Sequence, residues 1–480
     1  MFAHSLEKAN KFASHSLISQ IKTAYFIGIG GIGVSALVRI FLKHKIKVFG
    51  SDLIASEITD DLTKLGAEIK IGPQITNNIQ ENYDVLIYTP AIPDNHPELT
   101  AAKTRKIKCF SYPEALAELV NKNFGIAVTG THGKTSTTAM LGKVLVDSGI
   151  DPTVIVGSNL KEFKGNAYAG KSKYFVFEAC EYKNSFLNYK PQIAVVTNVE
   201  LDHPDVFKNI DQMREAYEKF LQNLPKDGLL IYWADDPELQ KITKDFDRKA
   251  IKYGLKNKSF DFSADNIKTE DQKMIFEVFE KEKSLGEFEL QVPGEHNILN
   301  ALAVIGVSRH LGVDINKIKE SLKSFQGSWR RLSKRAEIND ILILDDYGHH
   351  PTEVKATLKA AKQFYPDRRV WCVYQPHHHD RTEALFNDFI PAFDNADVVL
   401  ITEIYTVSGR EDKGEKHDIS SKDLYEKIKK HHKEIYYKPT LKDTEQFLAE
   451  NLKPGDVCIL MGAGDIYDVG EGLVEKLQSK

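Results

Sequence analysis

The sequence predicts an α/β protein built from three parallel, helix-covered sheets in series. Three observations carry this. Strand-glycine-helix openings divide the chain, apolar strand runs alternate with helical stretches, and 480 residues at roughly 100–200 per domain leave room for about three domains. The first opening is Ala24-Tyr-Phe-Ile-Gly-Ile-Gly-Gly-Ile-Gly-Val-Ser35, followed by strand candidates at 47–50 and 84–89, and this module ends near Glu118. The second begins Phe124-Gly-Ile-Ala-Val-Thr-Gly-Thr-His-Gly-Lys-Thr135 and continues through strands at 174–178, 193–197 and 229–232. Its tract from Lys241 to Lys283 carries short alternating runs and reads as a peripheral antiparallel element. A third module starts after Gln326-Gly327, with strands at 341–344, 370–374, 398–401 and 457–460. The domains are accordingly expected at 1–118, 119–327 and 328–480.

Composition excludes several classes of protein. Lys+Arg 64 against Asp+Glu 68 gives a net charge of -4, so no global positive field exists to hold a nucleic acid by counterion release. The four cysteines (Cys109, Cys180, Cys372, Cys458) are widely spaced with no CxxC pair, which predicts reduced thiols rather than a disulfide or zinc framework. The most apolar stretch, Ala24 to Val38, is broken by glycines and is shorter than the ~20 residues of a membrane span. Residues Met1 to Gln20 lack a basic segment followed by an apolar block, so a cytoplasmic protein without a membrane partner is expected.

Four groups of residues carry chemistry. Gly28, Gly30, Gly31 and Gly33 form a GxGxxG turn after a strand, with Asp52 at the end of the next strand. Such a turn exposes a helix N-terminus to any diphosphate, so it specifies a nucleotide or nucleotide sugar without choosing NAD. Gly130, Thr131, His132, Gly133, Lys134, Thr135 and Ser136 form a shortened phosphate loop, because Val128 stands where the general GxxxxGK[ST] pattern has its first glycine. Its lysine suits β/γ-phosphates and its hydroxyl a Mg²⁺ ion. Glu178 and His203 fall at strand ends, where ligands of an open parallel sheet collect. Farther on, His296, Asn297 and Asn300 suit an adenine edge, the two asparagines suiting a helix cap equally well, and Arg330-Arg331 suits a transferring phosphoryl group. The runs Asp345-Asp-Tyr-Gly-His-His-Pro351 and Gln375-Pro-His-His-His-Asp-Arg381 close the series, and the three adjacent histidines of the latter lack the spacing of a helical zinc site.

In this order GIGGIG, TGTHGKTS, EACE, TNVELDH, GEHNILNA, RR, DDYGHHPTE, QPH and MGAGD resemble the Mur ligases of peptidoglycan synthesis over residues 25–465. The resemblance implies an N-terminal Rossmann-like UDP-binding domain, a central P-loop ATPase and a C-terminal Rossmann-like domain carrying an amino-acid site. It implies ATP-dependent joining of L-alanine to the lactyl carboxylate of UDP-N-acetylmuramate through an acyl phosphate, in the cytoplasm, by a monomer or weak homodimer. UDP rather than NAD would then lie on Gly28, Gly30, Gly31 and Gly33 with Asp52 and Thr89. ATP would contact residues 130–136, His296, Asn297, Asn300 and Arg331, with Lys134 on the phosphates. Two Mg²⁺ ions, replaceable by Mn²⁺, would use Thr135 with Glu178 and Glu178 with His203. Arg331 and Asp346 would bring the C-terminal domain onto the nucleotide, and Tyr347, His349, His378 and Arg381 would face the amino acid. His378 departs from the family, which commonly has QPHRYTRT where this chain reads QPHHHDRT. Lys219 is out of register with the modified lysine of sibling ligases.

Overall fold

The structure, a computed structural model, describes residues 17–406 and 419–479, so most of the stretch Met1 to Gln20 read above lies outside the described residues. Three sheets follow one another along the chain. The first contains β1 (Thr23–Ile27), β2 (Lys47–Asp52), β3 (Glu68–Ile71), β4 (Val85–Tyr88) and β5 (Lys108–Ser111), all parallel, in the order β3-β2-β1-β4-β5. The strands progress one way from β1 to β3 and the other way from β4, so the chain leaves β1 at the switch point of the sheet. The outer strands β3 and β5 escape a sequence reading because they are short and mostly solvent-facing.

The second sheet has ten strands: β6 (Phe124–Thr129), β7 (Thr153–Leu160), β8 (Gly165–Tyr168), β9 (Tyr174–Glu178), β10 (Ile193–Val196), β11 (Leu229–Trp233), β12 (Lys249–Leu255), β13 (Phe262–Glu270), β14 (Lys273–Glu280) and β15 (Lys283–Leu290). Their order is β15-β14-β13-β12-β11-β10-β6-β9-β7-β8, which sets β6 in the interior between β10 and β9. The lysine- and acid-rich tract lies at one edge of this sheet as expected, and its antiparallel character is corrected for its first half. β12 pairs parallel with β11 and β13 begins parallel to β12, and only β14 and β15 turn antiparallel. The main sheet runs through this tract because Phe262, Ala264, Met274, Phe276, Val278, Phe288 and Leu290 alternate onto one buried face. That face is covered by the helix Glu295–His310, whose Ile298, Leu302 and Ile305 are fully buried.

The third sheet holds β16 (Ser333–Ile338), β17 (Ile341–Asp346), β18 (Arg369–Tyr374), β19 (Val398–Ile401), β20 (Ile435–Tyr437) and β21 (Asp456–Met461) in the order β16-β17-β21-β18-β19-β20. All are parallel except β16, which lies antiparallel along β17.

Polar contacts fix the three units to one another. Asn166, in β8, donates to the Ile32 carbonyl and to Ser35 Oγ at 3.0 Å in the helix Ile32–Lys43. Trp329 N donates to the Asn159 carbonyl at 3.1 Å, tying the start of the third unit to β7. All four cysteines are free thiols, and among the described residues no helix is long and apolar enough to cross a membrane.

Gly50 lies where β2 passes the first glycine loop, and a Cβ there would stand 2.6 Å from Ile29 Cδ1 and 2.7 Å from the Phe26 carbonyl oxygen. The carbonyl belongs to the adjacent strand and cannot move aside. Gly50→Ala is expected to cost about 1–3 kcal/mol, read as a lower thermal midpoint; an unchanged midpoint would show the sheet to be more compliant here than its geometry indicates.

Candidate active site

Two glycine loops occupy the two switch points. In the first, Gly28 adopts φ 71°, and a side chain on it would meet the Thr89 methyl at 2.5 Å. Asp52 accepts from Gly30 N at 2.8 Å and Gly31 N donates to the Gly28 carbonyl at 3.1 Å, while Gly33 lies under the Tyr112 ring. Gly28, Gly30, Gly31, Gly33, Asp52 and Thr89 are thus gathered at the ends of β1, β2 and β4.

The second loop joins β6 to the helix Lys134–Asp147. Gly130 (φ 132°) and Gly133 (φ 80°) are required by crowding as well as by conformation. A Cβ would lie 2.0 Å from Thr197 Oγ1 at the first and 2.6 Å from Asn300 Oδ1 at the second. Thr131 Oγ1 donates to the Glu200 carbonyl at 2.9 Å, and His132 N to Asn198 Oδ1 at 2.8 Å, so the segment after β10 shapes the loop. What remains is a helix N-terminus with free amides facing the cleft, an anion site by its own partial charge.

Lys134 folds back to the Gly130 and Thr131 carbonyls and pairs with Glu181 Oε1 at 3.0 Å. Glu181 is fully buried, and its second oxygen, Oε2, has no protein hydrogen-bond partner. Burial pushes this carboxyl up, but Lys134 and His203 together hold it below the usual range. His203 Nε2 lies 3.5 Å from Glu181 Oε1. His203 thus meets Glu181 rather than Glu178 directly, because the short turn after β9 brings Glu181 back under the loop and in front of His203. Glu178 instead accepts from Thr135 Oγ1 at 3.1 Å and from Gly157 N, and burial pushes its carboxyl up.

A cleft of about 810 Å³ opens between the central and third units. His132, Gly133, Thr135 and Ser136 line one side, His296, Asn297 and Asn300 the floor, and Arg331 and Asp346 the opposite side. The asparagines are not helix caps, because Gly294 takes the N-cap position; Asn297 donates to the Pro293 carbonyl at 2.7 Å and Asn300 to Asn297 Oδ1 at 3.2 Å. Burial, reinforced by Arg331, lowers His296 to about 4, so its imidazole is neutral. Burial raises Asp346 to about 6 even though Arg331 and the Gly348 and Leu332 amides, each at 2.7 Å, favour its charge. Of the two arginines only Arg331 is available to a ligand, lying 5.4 Å from the Tyr347 ring and 3.8 Å from Glu353. Arg330 is buried and donates to the Gly462 and Gly464 carbonyls.

The amino-acid residues expected from sequence lie at the ends of β17 and β18. Tyr347 and His349 meet edge to face at 5.6 Å, and His349 is 5.9 Å from His377, whose ring contacts His378 at 4.2 Å. Burial lowers His349 to about 4. His378 adopts φ 68° and donates its backbone N–H to the Tyr405 carbonyl at 3.1 Å. Arg381 is buried and donates from Nε to Asp202 Oδ1 at 2.9 Å, an ion pair between the third unit and the segment after β10. Lys219 is 63% exposed beside Glu215, away from these groups.

Glu181, Asp202, Glu200 and Glu353 are site carboxylates, each in contact with an expected site residue, that a sequence reading does not single out. Each lies within a motif already noted (EACE, VELDH, HHPTE); position after a strand end was the available signal for the first three, and Glu353 lies in the first turn of the helix Pro351–Phe364. Glu200 and Glu353 enclose the phosphate-loop imidazole: His132 Nε2 is 2.9 Å from Glu200 Oε2 and its Nδ1 3.2 Å from Glu353 Oε1. Burial opposes charge on His132, but the two carboxylates outweigh it and raise the ring to about 9.

Residues 23–124 match the Mur ligase family catalytic domain, 128–308 the Mur ligase middle domain, and 330–464 the Mur ligase glutamate ligase domain. A UDP-N-acetylmuramate--L-alanine ligase of Clostridium tetani is 43% identical over 461 residues, covering 95% of this chain and 99% of that protein. The chain belongs to the Mur ligase family. A second such relative, from Caldanaerobacter subterraneus, is 40% identical over 96% of this chain and 98% of its own length. The crystal structure of the UDP-N-acetylmuramate-alanine ligase of Thermotoga maritima superposes with a TM-score of 0.81 at 30% identity, covering 95% of this chain and 99% of that one. The Mur ligase fold is shared more distantly by a murein peptide ligase of Psychrobacter arcticus, TM-score 0.69 at 23% identity over 96% of this chain and 99% of that one.

His132 supplies a pH test of the seam in this Mur ligase. Its folded-state value lies above the ordinary 6.5, so its stabilisation is fully present below pH 6.5 and is lost as pH rises through about 9. The stability difference between the native chain and His132→Gln is therefore expected to shrink by a few kcal/mol between pH 6 and pH 9.5. Denaturant midpoints at the two pH values check this, and a difference that grows with pH would contradict the charged bridge.

Proposed function

We propose that the protein joins L-alanine to UDP-N-acetylmuramate with hydrolysis of ATP to ADP and phosphate. The observation that carries the reading is the meeting, across one cleft, of a glycine phosphate loop with Arg331 and Asp346 of the third unit, while the first glycine loop forms a second diphosphate-binding turn. The names of the relatives at 40–43% identity support the choice of substrates. Nucleotide phosphates would lie on residues 130–136 with Lys134, the base near His296, Asn297 and Asn300, and UDP on the first loop with Asp52 and Thr89.

Three anionic groups must meet for this reaction, so positive charge has to be concentrated around them. The lactyl carboxylate attacks the γ-phosphorus and ADP leaves, giving an acyl phosphate. The amine then attacks the acyl carbon, phosphate departs and the amine gives up a proton. Lys134 and Arg331 would neutralise the transferring group. The chain's own donors also fit a divalent cation: Glu181 keeps a buried oxygen without a protein partner, and Thr135 and Glu178 are within hydrogen-bond reach of each other. Thr135, Glu178 and Glu181, with His203 adjacent, would hold Mg²⁺ or Mn²⁺, which supplies charge neutralisation of the phosphates. His203, the one imidazole, is the least typical partner for a hard cation.

At the amino-acid end, Asp202 fixes Arg381 in one pose, as a bidentate carboxylate contact needs. Tyr347, His349 and His378 surround the same strand ends.

Phosphate release should require UDP-N-acetylmuramate and L-alanine together, and a free tripeptide in place of L-alanine should give none. Release with UDP-N-acetylmuramate and tripeptide, and not with L-alanine, would assign the chain to a recycling ligase. Lys134→Ala should lower turnover by about 10²–10³-fold with the fold retained; activity close to that of the native chain would remove Lys134 from the phosphate site. Arg381→Lys should raise the Michaelis constant for L-alanine roughly tenfold, equivalent to about 1.4 kcal/mol, and that for ATP much less. Equal effects on both constants would make Arg381 a seam residue only.

A further inference from the structure

The seam between the central and third units contains a cluster in which the His132 side chain, besides its place on the phosphate loop, meets two groups to which the ligation steps assign no role. His132 belongs to the phosphate loop, Glu200 to the segment after β10, and His350 to the turn preceding the helix Pro351–Phe364. One ligand atom from each lies within 4.8 Å of the other two. His132 Nε2 is 2.9 Å and His350 Nδ1 3.9 Å from the same Glu200 oxygen, Oε2.

The outer sides of both rings are already held as they are in metal sites. His132 Nδ1 lies 3.2 Å from Glu353 Oε1, and His350 Nε2 lies 3.3 Å from the Leu201 carbonyl oxygen. A carboxylate on one imidazole and a backbone carbonyl on the other are the outer partners that orient histidine ligands and fix their tautomers. The carbonyl takes a proton from His350 Nε2 and so turns the Nδ1 lone pair toward the cluster. The Thr352 amide, 3.3 Å from that lone pair, is the contact an ion would displace. Glu200 is held by Thr352 Oγ1 at 2.7 Å through its other oxygen, Oε1.

We propose that His132, Glu200 and His350 form a site for a zinc-class divalent cation, separate from the carboxylates around Lys134, and that an ion there holds the central and third units closed. Two imidazoles and one carboxylate suit Zn²⁺ or Co²⁺ with a water in the fourth position, whereas Mg²⁺ prefers six oxygen ligands. Bonds of about 2.0–2.2 Å would draw the ligand atoms to roughly 3.3 Å from one another. That is a side-chain adjustment, and Glu200, 42% exposed, is free to make it. The ion would take the place of the proton that His132 Nε2 shares with Glu200, which is released to solvent, and Glu353 and Glu200 together offset the charge of the dication. Since one histidine comes from the third unit and the other two ligands from the central unit, binding and closure of the seam are one event.

The test uses the full chain in millimolar Mg²⁺, titrated with Zn²⁺ by calorimetry and with Co²⁺ by visible absorption. The expected result is one site with the intense visible bands of four-coordinate Co²⁺. His350→Gln and Glu200→Gln should each weaken Zn²⁺ binding at least tenfold. His350→Gln also alters the cap of a helix; if it fails to fold, Glu200→Gln, on the exposed side, decides alone. Zn²⁺ should slow amide exchange in 198–203 and 346–353 of the native chain and not of Glu200→Gln. Native-like Zn²⁺ affinity in Glu200→Gln, or a six-coordinate Co²⁺ spectrum, would overturn the site; Zn²⁺ binding without altered exchange would overturn its role in closure.

Discussion

The active arrangement depends on a protonated imidazole set between two carboxylates. His132 lies on the phosphate loop, Glu200 on the same unit and Glu353 on the third, so this one charge joins the nucleotide site to the unit that completes it. Glu353 is held well below the ordinary carboxylate range despite burial, chiefly because His349, His132 and Arg331 face it. A second buried pair, Asp202 with Arg381, crosses the same seam. Buried pairs of this kind add little net stability over an apolar contact, but losing one partner is costly, so they specify a single closed geometry.

Burial acts on all the carboxylates of the cleft, and the cations near each decide the outcome. Glu181, with Lys134 and His203 against it, stays ionised. Glu178 and Asp346, whose countercharges are weaker or farther away, are pushed up. A site that separates its carboxylates in this way has one anion held ionised against Lys134 and two whose charge an arriving cation would favour and a phosphate would oppose. The same reasoning keeps His296 and His349 neutral, fit to contact a base or an amino acid without adding charge.

Repeated topology explains why so many groups converge. Each of the first two sheets reverses direction beside its leading strand, β1 or β6, and the glycine loop that follows has room there for a ligand and a helix N-terminus aimed at it. The third sheet lacks such a loop and contributes side chains instead, from β17, β18 and the turns after them.

The sequence by itself determined the three α/β units, the two glycine loops and nine of the residues that line the cleft, because those signals are local: glycine where a Cβ cannot fit, apolar runs that become interior strands, a lysine and hydroxyl at a helix start. Edge strands β3 and β5 were illegible because short, solvent-facing segments bury too little to leave a pattern. That the first half of the tract 241–283 pairs in parallel was illegible, because alternation reveals a half-buried strand without revealing whether its neighbour runs parallel. Only the tertiary structure decided that His203 meets Glu181 instead of Glu178, that Asn297 and Asn300 face a cleft rather than capping a helix, and that Arg330 is structural while Arg331 is not. It also decided that Arg381 pairs with Asp202 and that His132 joins two units. Partners of 47, 179 and 221 residues' separation are chosen by packing, and the ionisation of each group follows from the burial and countercharge that packing alone supplies.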